Sequence, residues 1–380
     1  MLIWFAMLIP LFGMFIKVIF FSQKMKWWEF GIPFLISAAL CAGFKVVAEQ
    51  GATRDSEIWG GWVMEARYYE RWNEYVHKTC SRQHCSGSGK TRSCWTEYYD
   101  CSYVANHPAY WKILDSNKQQ HIVNKDTYNY LVQLFGHKPK FVDMKRSYHT
   151  IDGDMYQVHW PSTSETVEPI TTEHVYENRI QASRSVFSYV PISWEDAQTK
   201  GLFRYPDIKL LNYPTVLGDC GTHSKAADQR LRYFNAVLGR EKQLRIWFLC
   251  FQSTDPQIGE LQEAFWVGGN KNEVVITIGT NKEGTVSWVH PFSWTDHKEP
   301  LIEIRDFISQ QGNLNALVAA EFVGTKLKEG FVRKQFEDFS YLTVEPPLWS
   351  IILTYVTTLL VNFGLSWWLI NNEFQERSSR

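Results

Sequence analysis

Three long apolar segments constrain this chain more than any other feature of its sequence. They are MLIWFAMLIPLFGMFIKVIFF at 1–21, WWEFGIPFLISAALCAGFKVVA at 27–48 and PLWSIILTYVTTLLVNFGLSWWLI at 347–370. Each offers roughly 20 residues, the length that an α-helix needs to cross the ~30 Å hydrocarbon layer of a bilayer. The first segment lacks the basic start and the small-residue cleavage site of a removable signal peptide. We therefore expect three transmembrane helices, with the lipid bilayer as a partner of the chain.

Basic residues in the short connections predict the orientation of these helices. The link between the first two segments carries Lys24 and Lys26, and the C-terminal tail carries Arg377 and Arg380. Basic residues in short loops favour the cytoplasmic side of a membrane. We therefore expect a multi-pass protein of the bacterial inner membrane. Its N-terminus and residues 49–346 would be periplasmic, and its C-terminus would be cytoplasmic.

Four cysteines lie close together in the predicted periplasmic region, at Cys80, Cys85, Cys94 and Cys101. Such a cluster forms disulfides in an oxidising compartment and more often binds metal in a reducing one. The spacing lacks the tight C-x2-C knuckle of a zinc ribbon, although two nearby histidines keep a zinc site open as an alternative. Turn-forming glycines between the inner two cysteines favour a hairpin. We expect nested disulfides, Cys85–Cys94 and Cys80–Cys101, with a β-bulge because the outer pair is offset in register; other pairings stay open.

The same region contains GSGKT, which looks like the end of a phosphate-binding P-loop. A full P-loop would require a glycine where this chain has His84, and it would follow a buried strand. The residues before the motif are too polar for such a strand. The formal net charge of −1 gives no indication of nucleic-acid binding. We therefore expect no nucleotide, no nucleic acid and no cofactor as partners.

The second half of the chain alternates between helical and strand patterns. A continuous apolar run at 243–252 is typical of a strand buried on both faces. Amphipathic periodicity and glycine stop signals mark the helices. We expect an α+β ectodomain in which helices cover a small mixed sheet. The expected helices are 224–239, 258–269, 300–310 and 314–335, and the expected strands are 243–252, 273–280 and 285–294.

A third disulfide is expected in this half, between Cys220 and Cys250. Cys220 precedes the first helix, and Cys250 lies near the end of the strand that follows it. A helix of about 15 residues rises ~22 Å and a strand of about eight residues returns ~26 Å, so the two thiols can meet. The functional alternative is a nucleophile pair of Cys220 with His223 in GDCGTHS, for which no third orienting residue is identifiable.

The region before this half is less regular. The aromatic stretch 54–78 fits either a helix or a strand, whereas 116–136 has a helical apolar stripe. Alternating residues flank Asp152-Gly153, which predicts a two-residue hairpin. A segment rich in Pro, Ser and Thr indicates a linker over 161–185.

Residues 224–335 resemble the TPM domain. The resemblance lies in the strand LRIWFLCF, the helix ending FWVGGNKN, the strand EVVITIGT and the closing helical pair before a membrane anchor. TPM domains occur on thylakoid-lumen and periplasmic proteins, and the resemblance implies phosphatase activity, metal binding or a role in assembling and repairing membrane complexes. The acidic-basic pair that usually follows the central strand is replaced here by Thr280-Asn281-Lys282-Glu283. The whole layout also resembles uncharacterised membrane proteins of tailed phages and bacteria.

The expected organisation is therefore linear along the chain. Membrane segments enclose two extramembrane regions that a linker separates. The expected parts are two transmembrane helices in 1–48, a Cys-rich α+β region at 49–160, a linker at 161–185, a TPM-like domain at 186–346, a transmembrane helix at 347–370 and a cytoplasmic tail at 371–380.

Two functions fit this organisation. The sequence carries no catalytic triad, HExxH or nucleotide motif, which favours a disulfide-stapled ectodomain that binds or helps assemble another envelope component, with an envelope protein as partner. The hairpin and the aromatic segment 59–75 are the candidate partner surface, although core packing is the commoner reason for such aromatics. The alternative is a membrane-anchored, metal-dependent, phosphatase-like hydrolase with His290, Asp296 and His297 as candidate residues. A transporter or channel part fits less well, because no internal repeat or paired intramembrane charge is present.

Overall fold

The computed structural model describes residues 2–21, 27–87, 92–146, 151–159, 168–183, 189–211 and 213–378. The chain forms two compact units that we name the helical unit and the sheet unit. Both predicted extramembrane regions, 49–160 and 186–346, contribute to the sheet unit. The two units therefore do not coincide with the regions predicted along the sequence. The helical unit comprises Met1–Glu57, Glu173–Asp196 and Lys334–Arg380, and the sheet unit comprises Ile58–Thr172 and Ala197–Arg333.

The elements have the following bounds in chain order. A 3-10 helix at Leu2–Leu8 precedes the α-helices, which are α1 (Ile9–Phe21), α2 (Trp27–Thr53), α3 (Lys125–Phe135), α4 (Arg179–Ala182), α5 (Trp194–Thr199), α6 (Ser224–Lys242), α7 (Gln257–Phe265), α8 (Glu299–Ser309), α9 (Ala316–Gly330) and α10 (Leu348–Ser378). The strands are β1 (Arg54–Tyr69), β2 (Trp72–Val76), β3 (Thr79–Ser86), β4 (Ser93–Asp100), β5 (Tyr103–His107), β6 (Tyr110–Asp115), β7 (Gln120–Val123), β8 (Lys140–Val142), β9 (Met155–His159), β10 (Pro169–Glu177), β11 (Val216–Leu217), β12 (Arg245–Phe251), β13 (Glu273–Thr280) and β14 (Val286–Ser293).

Two helices of the helical unit are long and apolar enough to cross a membrane, over Trp28–Thr53 and Leu348–Trp368. Only 17% and 22% of their apolar windows are buried, whereas the core helix of a soluble protein would be mostly buried. The third expected span is not confirmed, because residues 2–21 divide into a 3-10 helix and the 13-residue α1. Pro10 is the second residue of α1, where its missing N–H costs nothing, and the residues before it adopt the tighter helix.

Polar side chains line the interior between α2 and α10. The Asn362 side-chain amide donates to the Ser37 hydroxyl at 2.9 Å and to the Thr358 carbonyl at 2.7 Å. Ser350, Thr354 and Thr358 are fully buried at successive fourth positions of α10. Small residues let membrane helices approach closely, and a hydrogen bond between them contributes about 1 kcal/mol. The two helices therefore form a packed pair.

The first sheet of the sheet unit has the strand order β7-β6-β1-β9-β8, with β10 also paired to β1. The 16-residue β1 lies at its centre, so the strand alternative for the start of the stretch 54–78 is the one observed. Helix α3 packs on one face, where Leu131 lies in a core with Val63, Ile113 and Ile170. This sheet holds the base of the Cys-rich hairpin.

The second sheet has the strand order β11-β12-β13-β14, parallel except for the antiparallel β14. Every residue of β12 is buried, as the continuous apolar run at 243–252 predicted. Every residue of β13 is buried as well. Helices α6, α8 and α9 share a core with one face of this sheet. On the opposite face, Trp247 packs against Trp266 and Tyr205. The small mixed sheet covered by helices is therefore confirmed.

A buried ion pair closes one end of the second sheet. Arg245 and Glu273 face each other in register at the starts of β12 and β13, with 1% and 0% of their side chains exposed. Glu273 accepts hydrogen bonds from the Tyr205 hydroxyl at 2.5 Å and the Trp247 indole at 2.8 Å. Burial, and next the charge of Glu273, raise the pKa of Tyr205 well above its usual value. Removal of one partner would leave an uncompensated buried charge.

The two sheets are joined where β1 crosses α6. A Cβ added at Gly60 would lie 1.7 Å from the Asn235 carbonyl oxygen, and one added at Gly239 would lie 2.5 Å from the Gly60 Cα. Asn235 also spans α6 and β12, because its side chain donates to the Ile246 carbonyl and accepts from the Ile246 amide. Only glycine permits this backbone contact.

The expected helix over 116–136 is shorter in the structure. Residues Gln120–Val123 form β7 instead, and α3 begins after Asn124, whose side chain accepts from the Thr127 amide at 2.8 Å. The periodic stripe belongs to α3 alone, because an N-cap at Asn124 ends the preceding strand.

The Asp152-Gly153 hairpin was predicted incorrectly. Strand β9 pairs with β1 and with β8, so the pair of residues lies in a longer loop. Gly153 is needed for close approach, since a Cβ there would lie 2.0 Å from the Glu70 carbonyl oxygen. Asp152 accepts a hydrogen bond from the Tyr110 hydroxyl, and burial together with that bond raises the Tyr110 pKa.

The predicted linker over 161–185 contains regular structure. Strand β10 and helix α4 occupy Pro169–Glu177 and Arg179–Ala182. The Tyr176 hydroxyl donates to the Asp55 carboxylate at 2.7 Å, so this segment is tied to the start of β1. Residues 161–167 and 184–185 of the expected linker lie outside the described part of the chain.

We expect Gly60→Ala to lower the free energy of unfolding by about 3 kcal/mol, because the new methyl group overlaps backbone that cannot yield. Gly61→Ala is the matched control, since its Cβ meets only the side chains of Ser116 and Asn117. Urea unfolding of the full chain in detergent, followed by tryptophan fluorescence, measures both. Equal midpoints for the two variants would contradict the backbone contact.

Candidate functional site

A long two-stranded ribbon continues beyond the first sheet, and we name residues 72–107 the hairpin arm. Its register is that of β1 with β6: Tyr69 faces Tyr110, Trp72 faces His107, and Ser86 faces Ser93. The pairing is interrupted near Pro108, which has no N–H to donate. On one side the arm has five strand residues in β2 and eight in β3, each rising about 3.3 Å.

Two disulfides crosslink the arm. Cys85 and Cys94 are directly opposite in register, and Cys80 is joined to Cys101. These are the two pairs expected from the sequence, but the expected bulge is absent from the described ladder. Cys80 faces Tyr99, and Cys101 lies two residues further on the same face, so the outer disulfide is diagonal. Residues 88–91 of the GSGKT stretch between the inner two cysteines lie outside the described residues.

The third disulfide joins Cys220 to Cys250, as expected from the sequence. Because its sulfur is bonded, Cys220 has no thiolate for the alternative nucleophile pair with His223. Cys41 is a free, buried cysteine of α2. The three disulfides and the two apolar helices together suggest a membrane protein with an extracytoplasmic domain.

Exposed aromatic side chains cover both faces of the arm. Trp95, Tyr99 and Tyr103 lie at every fourth position along one face, with 57%, 48% and 52% of their surfaces exposed. Tyr75 and Tyr98 lie on the opposite face, 55% and 73% exposed. Large exposed aromatics in one place mark an interaction site more often than chance. By contrast, Trp62 and Tyr69 of the expected partner segment 59–75 are buried in the sheet unit.

Charged groups along the arm are arranged unevenly. Near the base, Glu74 bonds to the His107 ring at 3.0 Å. Hydrogen bonds from the hydroxyl and the amide of Ser102 lower the pKa of Asp100. Near the tip, Arg82 is exposed and makes no ion pair within the described residues. The base therefore holds a His–Glu contact, and Arg82 lies opposite Glu97 in the ladder.

An isolated two-stranded ribbon is marginally stable in water, because it buries little apolar surface. Two crosslinks offset this by removing conformations from the unfolded arm. A ribbon held rigid before binding loses little further entropy when a partner docks. The arm is thus a preformed, exposed ribbon whose shape depends on its disulfides.

The candidate hydrolase residues lie beside β14 at the edge of the second sheet. His290 lines a cavity of about 360 Å³, and its Nε2 bonds to the Glu263 carboxylate at 2.7 Å. The Lys298 ammonium in the same cavity donates to the Ser293 carbonyl at 2.8 Å. Burial lowers the pKa of Lys298, against the opposing charges of Glu263 and Asp296.

The expected association of His290 with Asp296 and His297 is not observed. Asp296 and His297 are exposed in the loop after β14, and His290 is directed to Glu263. Across the described part of the chain, no group of three His, Cys, Asp or Glu side chains could hold a metal ion. The partner Glu263 comes from α7, which no local pattern around His290 could have indicated.

A second cavity, also about 360 Å³, lies at the carboxyl ends of the parallel strands β11, β12 and β13. Its lining includes Asp219, Gln252, Asn281 and the Cys250 end of the third disulfide. Ligands of open α/β sheets commonly bind at this edge. The sequence did not indicate it, because β11 has only two residues and leaves no strand pattern.

We expect Cys85→Ser/Cys94→Ser to expose the arm to proteolysis while the sheets stay folded, because the ~3 kcal/mol from this crosslink acts locally. The comparison variant Cys220→Ser/Cys250→Ser should lower the global free energy of unfolding by about 4 kcal/mol. Limited proteolysis with mass spectrometry and urea unfolding separate the two effects. Equal loss of global stability in both variants would contradict an independent arm.

Comparisons with known proteins leave the residues as the only basis for a functional conclusion. No protein-family model matches the sequence, no curated protein matches it, and no solved structure matches the chain. The TPM-like resemblance therefore rests on the motifs within residues 224–335 alone.

Proposed function

We propose that this chain is an integral membrane protein whose disulfide-stapled ectodomain binds or helps assemble another envelope component. The observation that carries the proposal is the hairpin arm, twice crosslinked and exposing aromatic rings on both faces. Exposed Tyr and Trp are the residues that most often dominate binding surfaces. A monomeric domain gains nothing from such a ribbon unless something docks on it.

The hydrolase alternative has less support. Its candidate ligands His290, Asp296 and His297 do not converge in the described structure, and His290 is bonded to a carboxylate from α7. A His–Glu pair beside a lysine is an arrangement that also occurs commonly on protein surfaces. We therefore advance the binding function alone.

The proposed location is an inner membrane, with the arm on the periplasmic side and the C-terminus cytoplasmic. Lys24 and Lys26 before α2, and the basic tail after α10, support this orientation whether or not residues 2–21 cross the bilayer. In either case the sheet unit lies on the side where disulfides form.

Packing inside the helical unit favours a third span. The Tyr355 hydroxyl donates to the Leu2 carbonyl at 2.9 Å, and a Cβ on Gly13 would lie 3.6 Å from the Ser366 hydroxyl. The first segment therefore runs beside α10 in the same direction. If α10 enters the membrane from the periplasmic side, the N-terminus lies on that side too.

The TPM-like identity of residues 224–335 remains a proposal. It is supported by the order of elements: a helix, a buried strand, a helix, two further strands and a closing helical pair before α10. Within the proposed function, this domain packs on the first sheet through the contact of α6 with Gly60, and the first sheet carries the arm.

We expect a cysteine at position 2 (Leu2→Cys) to react with a membrane-impermeant maleimide in intact spheroplasts, because three spans place the N-terminus outside. A cysteine at position 380 (Arg380→Cys) should react only after lysis. Both variants carry Cys41→Ser to remove the free thiol. Labelling of position 2 only after lysis would establish two spans and leave the periplasmic arm unaffected.

We expect a photo-reactive amino acid at Tyr98 to crosslink an envelope component in living cells. The control position is Ile122 on β7, which is 77% exposed but lies outside the arm. Mass spectrometry of the adducts distinguishes protein from lipid. Equal or no crosslinking at the two positions would remove the arm as the binding surface.

A further inference from the structure

Strand β14 forms one edge of the second sheet, and no other strand of the described chain pairs with its open side. The cavity that contains His290 lies along this edge. Five consecutive residues of the strand, Val289–Ser293, line it. Alternate residues of a strand point to opposite faces, so a cavity that contacts five in succession lies beside the strand and not over one face. We name this cavity the edge groove.

Helices from the two faces of the second sheet form the walls of the edge groove. Val289 packs with the core that contains α8, whereas His290 on the opposite face bonds to Glu263 of α7. Leu301 and Ile302 of α8 line the groove, and Ile302 is 49% exposed. The groove therefore has an apolar wall on the α8 side and a polar wall on the α7 side.

Hydrogen bonds of β14 show which backbone groups face the edge groove. The His290 carbonyl accepts from the Thr277 hydroxyl of β13 at 2.7 Å, so the His290 backbone faces the sheet. Neighbouring residues of an antiparallel strand direct their N–H and C=O groups to opposite sides. The backbone groups of Val289 and Pro291 therefore face the groove, where they make no backbone hydrogen bond to the rest of the described chain.

Two residues limit what can pair with this edge. Pro291 presents a carbonyl but no N–H, and the Ser293 carbonyl further along already accepts from the Lys298 ammonium at 2.8 Å. The groups left for an added strand are the Val289 N–H and the carbonyls of Val289 and Pro291. Proline and lysine at an edge prevent indiscriminate pairing of long strands, and the groups that remain match a short one.

The charged side chains that line the edge groove are already engaged within the described chain. These contacts are His290 with Glu263, Lys298 with the Ser293 carbonyl, and Arg305 with its neighbour Asp306. A charge brought by an occupant would lose water without gaining a free counter-charge. The groove therefore complements an uncharged segment.

We propose that the edge groove binds a short, extended, uncharged peptide segment of another protein, which adds to β14 as an antiparallel strand. Backbone hydrogen bonds provide the affinity of such added strands, and pockets for alternate side chains provide the specificity. Antiparallel pairing is slightly more stable per residue than parallel pairing. The peptide residues opposite Val289 and Pro291 bond to β14 and direct their side chains toward α8, so they are apolar.

The peptide residue between these two faces the α7 wall and is polar, because successive side chains of a strand alternate between faces. The edge groove is separate from the hairpin arm, and its occupation does not depend on the function proposed for the arm.

The test uses the full chain in nanodiscs of phosphatidylcholine. The probe is a fluorescein-labelled peptide, Thr-Val-Thr-Val-Thr, blocked at both ends, whose two valines can lie opposite Val289 and Pro291. We expect the fluorescence anisotropy of the peptide to rise saturably with loaded discs and to stay unchanged with empty discs.

Methylation of the peptide backbone tests the mode of binding. N-methylation of both valines removes the two N–H groups that bond to β14. It should weaken binding at least about 25-fold, since each backbone hydrogen bond contributes roughly fivefold. N-methylation of two threonines is the matched control, because their N–H groups face water on the far side of the added strand. This second peptide should bind as the unmodified one does.

Variants of the chain assign the binding to the edge groove. Ile302→Glu should weaken binding roughly fivefold or more, because it places a charge in the apolar wall. Val318→Glu is the matched control, since it introduces the same charge at a 46% exposed apolar residue of α9 outside the groove. Both residues are exposed, so the fold is retained.

The peptide site is overturned if loaded discs do not bind the unmodified peptide, if the two methylated peptides bind equally, or if their order is reversed. Equal loss of binding in the two glutamate variants would also overturn it. Crosslinking at Tyr98 tests the hairpin arm separately, so this inference and the proposed function can fail independently.

Discussion

The contact of the Gly60 backbone with α6 is the constraint on which the sheet unit depends. At this point a strand and a helix approach so closely that a Cβ on Gly60 would lie 1.7 Å from the Asn235 carbonyl oxygen. Strand β1 is at once the centre of the first sheet and the element that touches the second layer. The Asn235 side chain also links α6 to β12, through hydrogen bonds with the Ile246 backbone. Two sheets of different construction are thereby packed as one unit.

The arm follows from the same strand. Strand β1 keeps its register with β6, and the register continues through β2–β5 to Ser86 and Ser93 after the first sheet has ended. Beyond that edge no core supports the ribbon, so its order depends on crosslinks and not on burial. This explains why the described arm strands carry two disulfides and exposed rings, while the second sheet is apolar on both faces and needs one crosslink at its edge.

Sequence patterns were most informative where neighbouring residues alone decide whether a segment is buried. The helices and strands after residue 224 and the three cysteine pairs agree with expectation, because a run such as 243–252 must be buried on both faces and a turn brings cysteines together. Patterns were least informative where distant segments decide. Part of the helix expected at 116–136 is instead the strand β7, which is stabilised by pairing with β6. Gly153 is needed for its contact with the Glu70 carbonyl and not for a hairpin turn.

The sequence by itself determined apolar helices near both ends of the chain and cysteines spaced so that three pairs could meet, because hydrophobic length and turn chemistry act over short stretches of chain. Which cysteines pair was fixed by the folded structure. Only the tertiary structure decided which aromatics are exposed: Trp62 is buried and Tyr98 is not, although both lie in similar strand patterns. The tertiary structure also decided that the His290 ring bonds to Glu263, and not to Asp296, which is closer in the sequence. Burial and side-chain partnership depend on which elements pack together, and that information is distributed over the whole chain.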